Sequence, residues 1–396
     1  MSWPISTLGE VATIVTGSTP KKVDGNYDGL IPFVTPGDLG SVVEVRDSKV
    51  KLTEAGANSG RLLPANSVLV CCIGATIGKT GFAVTPVVTN QQINSLIFDQ
   101  EKVFPKYAYH YCSTLKSFLM NRSSSTTMPI VNKTSFSEIE IPLPPLTEQK
   151  RIAAILDKAD AIRRKRQQAI KLADEFLRSV FLDMFGDPVT NPKGWEVKPL
   201  KELSLKISSG STPKGGSKVY VDKGITFFRS QNVWKNDIRL DDVAFIDKKT
   251  HESLKKSSLK HKDILMTKTG RFNTENSSLG RAALFLGEDD SANVNGHVYL
   301  IRLKEKISHE FVVYILTSNE YREHIRKVCV GGIDKRQLNK EHIEDFPIIC
   351  PPSDLQLEFI EKLCKIQKLK SNSTESINEV VPLFNALSQK AFSGKL

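Results

Sequence analysis

The chain contains a second version of itself. "WPISTLGEVATIVTGSTPK", starting at Trp3, is matched by "WEVKPLKELSLKISSGSTPK", starting at Trp195. Trp3 falls opposite Trp195, Leu8 opposite Leu200 and Glu10 opposite Glu202. After one inserted residue, Gly17-Ser18-Thr19-Pro20-Lys21 falls opposite Gly210-Ser211-Thr212-Pro213-Lys214. Further anchors follow in the same order. "IPFVTPGDL" from Ile31 matches "ITFFRSQNV" from Ile225, and "LPANSVLVCCIG" from Leu63 matches "LKHKDILMTKTG" from Leu259. "TNQQINSLIF" matches "VNGHVYLIRL", and "IPLPPLTEQ" from Ile141 falls opposite "FPIICPPSDLQ" from Phe346. Chance does not keep so many anchors in sequence. A tandem duplication is implied, and whatever one copy folds into, the other must fold into as well.

Each copy has two parts. The first mixes short β-rich runs ("SVLVCCIG", "NSLIF", "DILMTKTG", "HVYLIRL") with a few helical patches, such as those from Pro105 and from Ser308, a plausible N-cap. The second part reads as one long helix. After Pro145, with Thr147 as the expected N-cap, apolar or small residues recur at 152, 155, 159, 162, 169, 173, 176 and 180, a heptad seam interrupted at Arg166. Phe359, Leu363, Ile366, Ile377, Val380, Phe384, Leu387 and Ala391 keep the same rhythm in the second copy, with Lys370 and Ser373 interrupting it. The expected fold is therefore α+β. Two similar mixed α/β domains (1–145 and 187–352) alternate with two long helices (146–186 and 353–396), which pair antiparallel as a coiled coil. At 1.5 Å per residue each helix would be roughly 60 Å long, a stiff spacer between the domains. Pro382 is expected to kink or break the second, at about 3 kcal/mol.

Composition narrows the function classes. A chain of 396 residues exceeds one ordinary core. It has no run of 18 apolar residues, and its N-terminus has no basic region followed by an apolar one, so a soluble cytoplasmic protein with no membrane partner is expected. The six cysteines form no C-x-x-C pair and have no histidine at ligand spacing, which suits reduced thiols and no metal. A net charge of +11 suits a polyanion, most often nucleic acid.

The phrases "IPLPPLTEQKRIAAILD" and "FPIICPPSDLQLEFIEKL", the closing "FLDMFGDP" and "LSQKAFSGKL", and "GSTPK" after an opening Trp carry a resemblance. Over nearly its whole length the chain resembles the specificity subunit of type I restriction–modification systems. That resemblance implies a non-catalytic protein in which each mixed domain is a target-recognition domain reading one half of a split double-stranded DNA sequence. The helices would set the gap and dock two modification methyltransferase subunits, which use S-adenosylmethionine. Restriction/translocase subunits, with ATP and Mg²⁺, would complete the complex, and no cofactor would be bound by this chain. Glu148, Gln149, Arg151 and, in the second copy, Gln356 are the candidate partner-binding residues. There the Glu-Gln pair is replaced by Leu355-Gln356.

Candidate DNA contacts come from the loops. "GATIGKT" at 74–80 imitates a phosphate-binding P-loop, but it is one residue short and no strand–loop–helix opens around it. Both copies keep a glycine followed by a cation, Gly78-Lys79 and Gly280-Arg281, which suits either a DNA contact or a plain turn. Asn90, Gln91 and Gln92 offer amides for adenine edges, or else stabilise a strand entry. Asn295 and His297 take their places in the second copy. Arg229, Gln231 and Asn232 cluster after "ITFF". Lys268 and Arg271 flank Gly270, and Lys133, Lys335 and Arg336 follow the Ser/Thr- and Gly-rich stretches "SSSTTMP" and "VGGI". The run "IRRKRQQAIK" at 162–171 is either a solvated helix face or a further polyanion contact. Two other readings remain open. Asp187, Glu196 and Lys198 imitate the D…ExK pattern of metal-dependent nucleases, and a third reading is an assembly scaffold that binds no DNA.

Overall fold

The computed structural model describes residues 3–23, 25–40, 43–123, 129–271, 277–332 and 335–396. The stretches 124–128 and 333–334, which include most of "SSSTTM" and part of "VGGI", lie outside the described residues. The chain divides into two units: Met1–Ala169 with Asn372–Leu396, and Ile170–Ser371. Each unit thus holds one mixed domain and one part of each long helix.

In the first unit a five-stranded sheet runs in the order Ala12–Thr16, Ile93–Phe98, Val68–Cys71, Thr80–Ala83, Glu44–Val45. All its neighbours are antiparallel except the last pair. The run Val68–Cys71 is buried at every position, as a central strand of apolar and β-branched residues should be. A second sheet joins Val50–Leu52, Tyr27–Val34, Val87–Thr89 and Leu62–Leu63. The second unit repeats this plan, with Ser204–Ser209, Val298–Leu303, Ile264–Thr267 and Ala282–Leu284 in one sheet. Tyr220–Val221, Ala244–Ile246, Ile225–Phe228 and Ala292–Val294 form the other. In both units a short strand after the opening Trp pairs with the strand that leads into a long helix. These pairs are Ile5–Thr7 with Glu140–Pro142 and Val197–Pro199 with Pro347–Ile349. That pairing places Ile141 opposite Ile348, two residues on from the Phe346 match suggested by the sequence. The same register keeps Gln149 opposite Gln356, as the sequence match of Glu148-Gln149 with Leu355-Gln356 has it.

The long helices are Leu146–Phe185 and Ser353–Phe392, 40 residues each. The first starts one residue before Thr147, so that threonine sits in the first turn instead of capping it. The Pro145 carbonyl accepts from Glu148 N–H and Gln149 N–H. Pro382 lies inside the second helix and does not end it.

The buried stripe departs from the expected seam. It runs through Gln149, Ile152, Ala153, Leu156 and Asp160, then Leu177, Phe181 and Phe185, whereas Ile162, Ala169 and Phe176 are exposed. The reason is geometric: each half-helix packs on its own domain as well as on the partner helix, so domain contacts set the buried face. In the first unit Ile152 and Leu156 join Tyr107 and Phe136 of the domain with Phe384, Leu387 and Ala391 of the second helix. In the second unit Phe181 and Phe185 stack with Phe311 and Phe359, and Leu363 and Ile366 close the cluster. Within each unit the paired segments come from opposite ends of the two helices, which makes the pairing antiparallel. The Ile377 side chain lies outside the described residues.

The two opening tryptophans repeat one role. Trp195 Nε1–H donates to the Phe185 carbonyl at 2.9 Å, and Trp3 Nε1–H to the Ala391 carbonyl at 3.3 Å. Each fixes its domain to the last turn of a long helix in its own unit.

Cys71, Cys72, Cys112 and Cys329 are buried free thiols, and burial pushes the Cys72 thiol up to about 12. They therefore pack as small apolar groups. Among the described residues no helix is long and apolar enough to cross a membrane.

Candidate nucleic-acid interface

The "GSTPK" and "TNQQ" signals turn out to be one structure. Gly17 N–H donates to Ile93 O and Ser18 N–H to Thr89 O, at 2.9 and 2.8 Å. Asn90 N–H donates to Val34 O, and its side-chain Oδ1 accepts from Gln92 N–H at 3.2 Å. A Cβ on Gly17 would sit 2.1 Å from the Asn90 carbonyl oxygen, so only glycine fits. The second unit repeats each bond: Gly210 to Val298, Ser211 to Val294, Asn295 to Phe228, and His297 N–H to the Asn295 side chain at 3.1 Å. Asn90 and Asn295 therefore set the turn through their side chains, the strand-entry role. Asn90 is almost fully buried. Gln91, which accepts from Thr19 Oγ1 at 2.6 Å, and His297 are the exposed tips.

The Gly-cation pairs also coincide. Cys71 N–H donates to Lys79 O and Thr267 N–H to Arg281 O, both at 2.9 Å. Gly78 and Gly280 have φ of 81° and 65°. A Cβ on Gly78 would lie 2.7 Å from Lys116 Cα, and one on Gly280 3.0 Å from Ile325 Cγ2. The glycines serve a hairpin turn packed on a helix, in a strand–turn–strand context unlike a P-loop. Lys79 Nζ donates to Pro36 O at 3.2 Å. Arg281 lies over the Trp234 indole, its Cζ 3.8 Å from the ring centroid.

Several candidates are internal. Asn232 is buried, donating to the Arg239 and Asp242 carbonyls and accepting from Arg229 N–H. Arg229 and Gln231 both bind the Asp242 carboxylate, each at 2.9 Å. Those hydrogen bonds, Gln231's first, hold Asp242 below the usual carboxylate range. The expected polar cluster exists, but it closes on its own aspartate, and Asn232 is removed from any DNA contact by burial. Gln149 is likewise internal, at 1% exposure. Its amide accepts from Phe104 N–H and donates to Lys102 O and Pro144 O, so it is spent within its unit and is not offered to a partner subunit. Gln356 keeps the counterpart of one bond, to Pro351 O at 2.8 Å. Glu148 and Arg151 form a two-pronged pair at 2.7 and 2.8 Å on the surface.

Of the other candidates, three are exposed and two, Lys268 and Arg336, are half-buried. Lys133 is exposed at the start of a short helix capped by Asn132, and Arg271 and Lys335 are exposed. Lys268 Nζ lies 5.4 Å from the Tyr299 ring centroid. Arg336 sits on a strand between Thr269–Gly270 and Val330–Gly331. Matching backbone bonds, Val131 to Cys72 and Leu338 to Lys268, make Lys340 the counterpart of Lys133, a position the sequence did not flag. In "IRRKRQQAIK", Arg163 and Arg164 both bind the buried Asp160, so this part of the run faces inward.

The nuclease pattern dissolves. Asp187 Oδ1 accepts from Val189 and Thr190 N–H, at 2.7 and 3.0 Å, as a turn cap, and Glu196 pairs with Lys198 at 3.2 Å. Among the described residues no group of three His, Cys, Asp or Glu side chains is placed to hold a metal.

Comparisons with known proteins agree with this arrangement. The type I restriction modification DNA specificity domain matches twice, over residues 2–172 and 192–382. The whole chain is 26% identical to the type I restriction enzyme MjaIX specificity subunit of Methanocaldococcus jannaschii, covering 93% of that protein. It is 23% identical to the StySPI specificity subunit of Salmonella potsdam, again over the whole chain and 89% of that protein. The crystal structure of the type I restriction–modification S subunit from M. genitalium superposes with a TM-score of 0.59 at 15% identity, over 99% of this chain and 96% of that one. At that identity the likeness concerns the fold. With the family domain present in both copies and a relative matched over 93% of its length, the chain belongs to the type I restriction–modification specificity subunits, the non-catalytic, cofactor-free components that recognise the DNA target of the complex.

Proposed function

We propose that each unit reads one half of a split target, and that the two halves differ in sequence. The observation that carries this reading is the repeated turn. The Gly17/Asn90 and Gly210/Asn295 scaffolds superimpose bond for bond, yet they present Gln91 and Gln92 in one unit and Gly296 and His297 in the other. A shared backbone frame with different side chains at its tip is what two readers of different base sequences require, because base edges are distinguished by donor and acceptor pattern. Two linked readers also gain by effective concentration when the spacing of the DNA sites matches theirs.

The long helices dock two modification methyltransferase subunits, with Glu148, Arg151 and Gln356 near the helix starts as contacts, and restriction/translocase subunits join this assembly in the cytoplasm. S-adenosylmethionine, ATP and Mg²⁺ belong to those partners. The test is exchange of residues 1–145 for the corresponding domain of another specificity subunit. Methylated adenines are then mapped in DNA treated with the complex of this chain and its modification partner. One half-site should change and the other persist; a change in both would refute independent reading.

A further inference from the structure

The second unit carries an arrangement that the sequence did not single out. The strands Val233–Trp234 and Asp237–Ile238 form a tight hairpin turned by Asn236, whose φ is 56°. Asn236 N–H donates to Ala282 O, tying the hairpin tip to the strand that begins just after Arg281. The indole is fixed by its own Nε1–H, which donates to Gln231 O at 2.8 Å. Two guanidinium groups lie on it: Arg239, with Cζ 3.5 Å from the ring centroid, and Arg281, at 3.8 Å. Arg281 Nε also donates to Ser277 O at 3.1 Å, and Arg322 Nη2 donates to the same carbonyl at 3.4 Å. Three cations are thus gathered around one tryptophan and one carbonyl. Carboxylates are near the edges: Asp237 is 3.7 Å from Arg239, and Glu323 pairs with Arg326 at 2.5 Å.

Like charges held this close repel, and burial adds to the cost. Burial first, then Arg322 and Arg239, lower the affinity of Arg281 for its proton, and burial and Arg326 do the same to Arg322. Such a cluster is stabilised by an anion. Stacking also orders two side chains that would otherwise lose rotamer entropy on binding. With guanidinium groups already on the indole, the ring is not offered to a DNA base, while the exposed edge of Arg239 carries N–H groups suited to phosphate oxygens.

The first unit shows what the same place looks like without this device. Asp38 Oδ2 accepts from Thr35 N–H at 2.9 Å, as Asn232 Oδ1 accepts from Arg229 N–H. That match puts Gly40 at the position of Trp234. Lys79, the counterpart of Arg281, lies along Gly40.

The geometry points to a preorganised phosphate clamp made by Trp234, Arg239, Arg281 and Arg322, which grips the DNA backbone beside the half-site read by the second unit; in the first unit Gly40 and Lys79 stand at the places of Trp234 and Arg281. The clamp rests on the reading of this chain as a DNA-recognising subunit. It supplies affinity and register and no base preference.

The test uses the full chain assembled with its modification partner. One duplex carries the mapped target and another of equal length lacks it, and binding is titrated against salt. Each lost phosphate contact lowers the slope of log K against log salt by about 0.9. Arg239→Gln should lower the slope by about one contact on both duplexes and leave the methylated positions unchanged. Trp234→Ala should weaken binding in the same uniform way, and Arg239→Lys should restore most of the slope. An unchanged slope in Arg239→Gln and Trp234→Ala overturns the clamp, as does a change in which bases are methylated. If the unaltered complex fails to prefer its target, the underlying DNA-reading assignment fails instead.

Discussion

Gln149 offers a quantitative test of how the first domain is fastened to its helix. Its side chain is 1% exposed and makes three hydrogen bonds. It accepts from Phe104 N–H at 2.8 Å and donates to Lys102 O at 3.0 Å and Pro144 O at 2.8 Å. Phe104 immediately precedes the helix Pro105–Thr114, so the amide fastens the start of a domain helix to the first turn of the long one. Gln149→Ala strands one N–H and two carbonyls. A buried group left unsatisfied costs about 1–3 kcal/mol, and a typical net hydrogen bond about 1 kcal/mol. Allowing for water entering the small space, the expected loss is about 2–4 kcal/mol. For a unit of this size that corresponds to roughly 2–4 °C of melting temperature per kcal/mol. Gln356→Ala, at the matched position of the second copy, removes the bond to Pro351 O and should cost about 1 kcal/mol. Both variants are measured by urea unfolding of the full chain, with hydrogen exchange at residues 102–104 reporting the local opening. Equal losses in the two variants would refute the pin. A Gln149→Ala chain of unaltered stability that no longer assembles with the modification subunit would show instead that the amide serves a partner after all.

The remaining expectations concern packing, pH and turn geometry. Phe181→Ala removes a buried ring stacked on Phe185, Phe311, Tyr314 and Phe359, and should destabilise the second unit by about 3–5 kcal/mol, read as a lowered melting temperature. Asp157 is held below the usual carboxylate range. Burial opposes this, but the hydrogen bond and charge of His110 and the charge of Lys106 outweigh it. Its stabilising contribution is therefore complete above the unfolded value of about 3.9 and is lost as pH falls below that through the lower folded value. Asp157→Asn should flatten the stability profile of the first unit below about pH 4, and an unchanged acid limb in urea melts would contradict this. Gly17→Ala should expel the Gly-Ser turn from the Asn90 carbonyl and weaken DNA binding by the assembled complex, with Ser18→Ala as a milder control. Equal affinity in a gel-shift titration would mean that the turn is not part of the interface.

How much of this was legible in the sequence depended on whether the signal was periodic, repeated or neither. The duplication showed the architecture, because anchors such as Trp3/Trp195 and Gly17/Gly210 are tied to backbone geometry that tolerates no substitute. A Cβ at either glycine would collide with a carbonyl at 2.1 or 2.3 Å. The helix seam was read less well. A 3–4 alternation describes a helix with one partner, and these helices have two, so the alternation places Ile162 and Phe176 inside while the fold leaves them exposed. Asp160 meanwhile fills an inner position because Arg163 and Arg164 neutralise it. Side-chain roles were the least legible. Asn232, Asn90 and Gln149 are residue types that bind nucleic acid or partners, and the same donor and acceptor pairs equally satisfy a protein's own turns. Only burial and partner geometry separate the two uses.

The same limit explains why Trp234 went unnoticed. "NVWKNDIR" holds an aromatic between basic residues, but the third and fourth cations come from Arg281 and Arg322, which no local pattern connects to it. What links them is the hairpin bond from Asn236 to Ala282 and the shared Ser277 carbonyl. Two copies of one ancestral domain can therefore keep an identical frame and diverge where a loop meets a neighbouring helix. One carries Gly40 beside Lys79, and the other carries an indole flanked by guanidinium groups. A duplicated reader whose halves differ in this way should hold its two half-sites with unequal grip. Raising salt should then release the half-site bound by the second unit more steeply than the one bound by the first. Footprinting of the two halves across a salt series would show both being lost together if the halves are electrostatically equivalent.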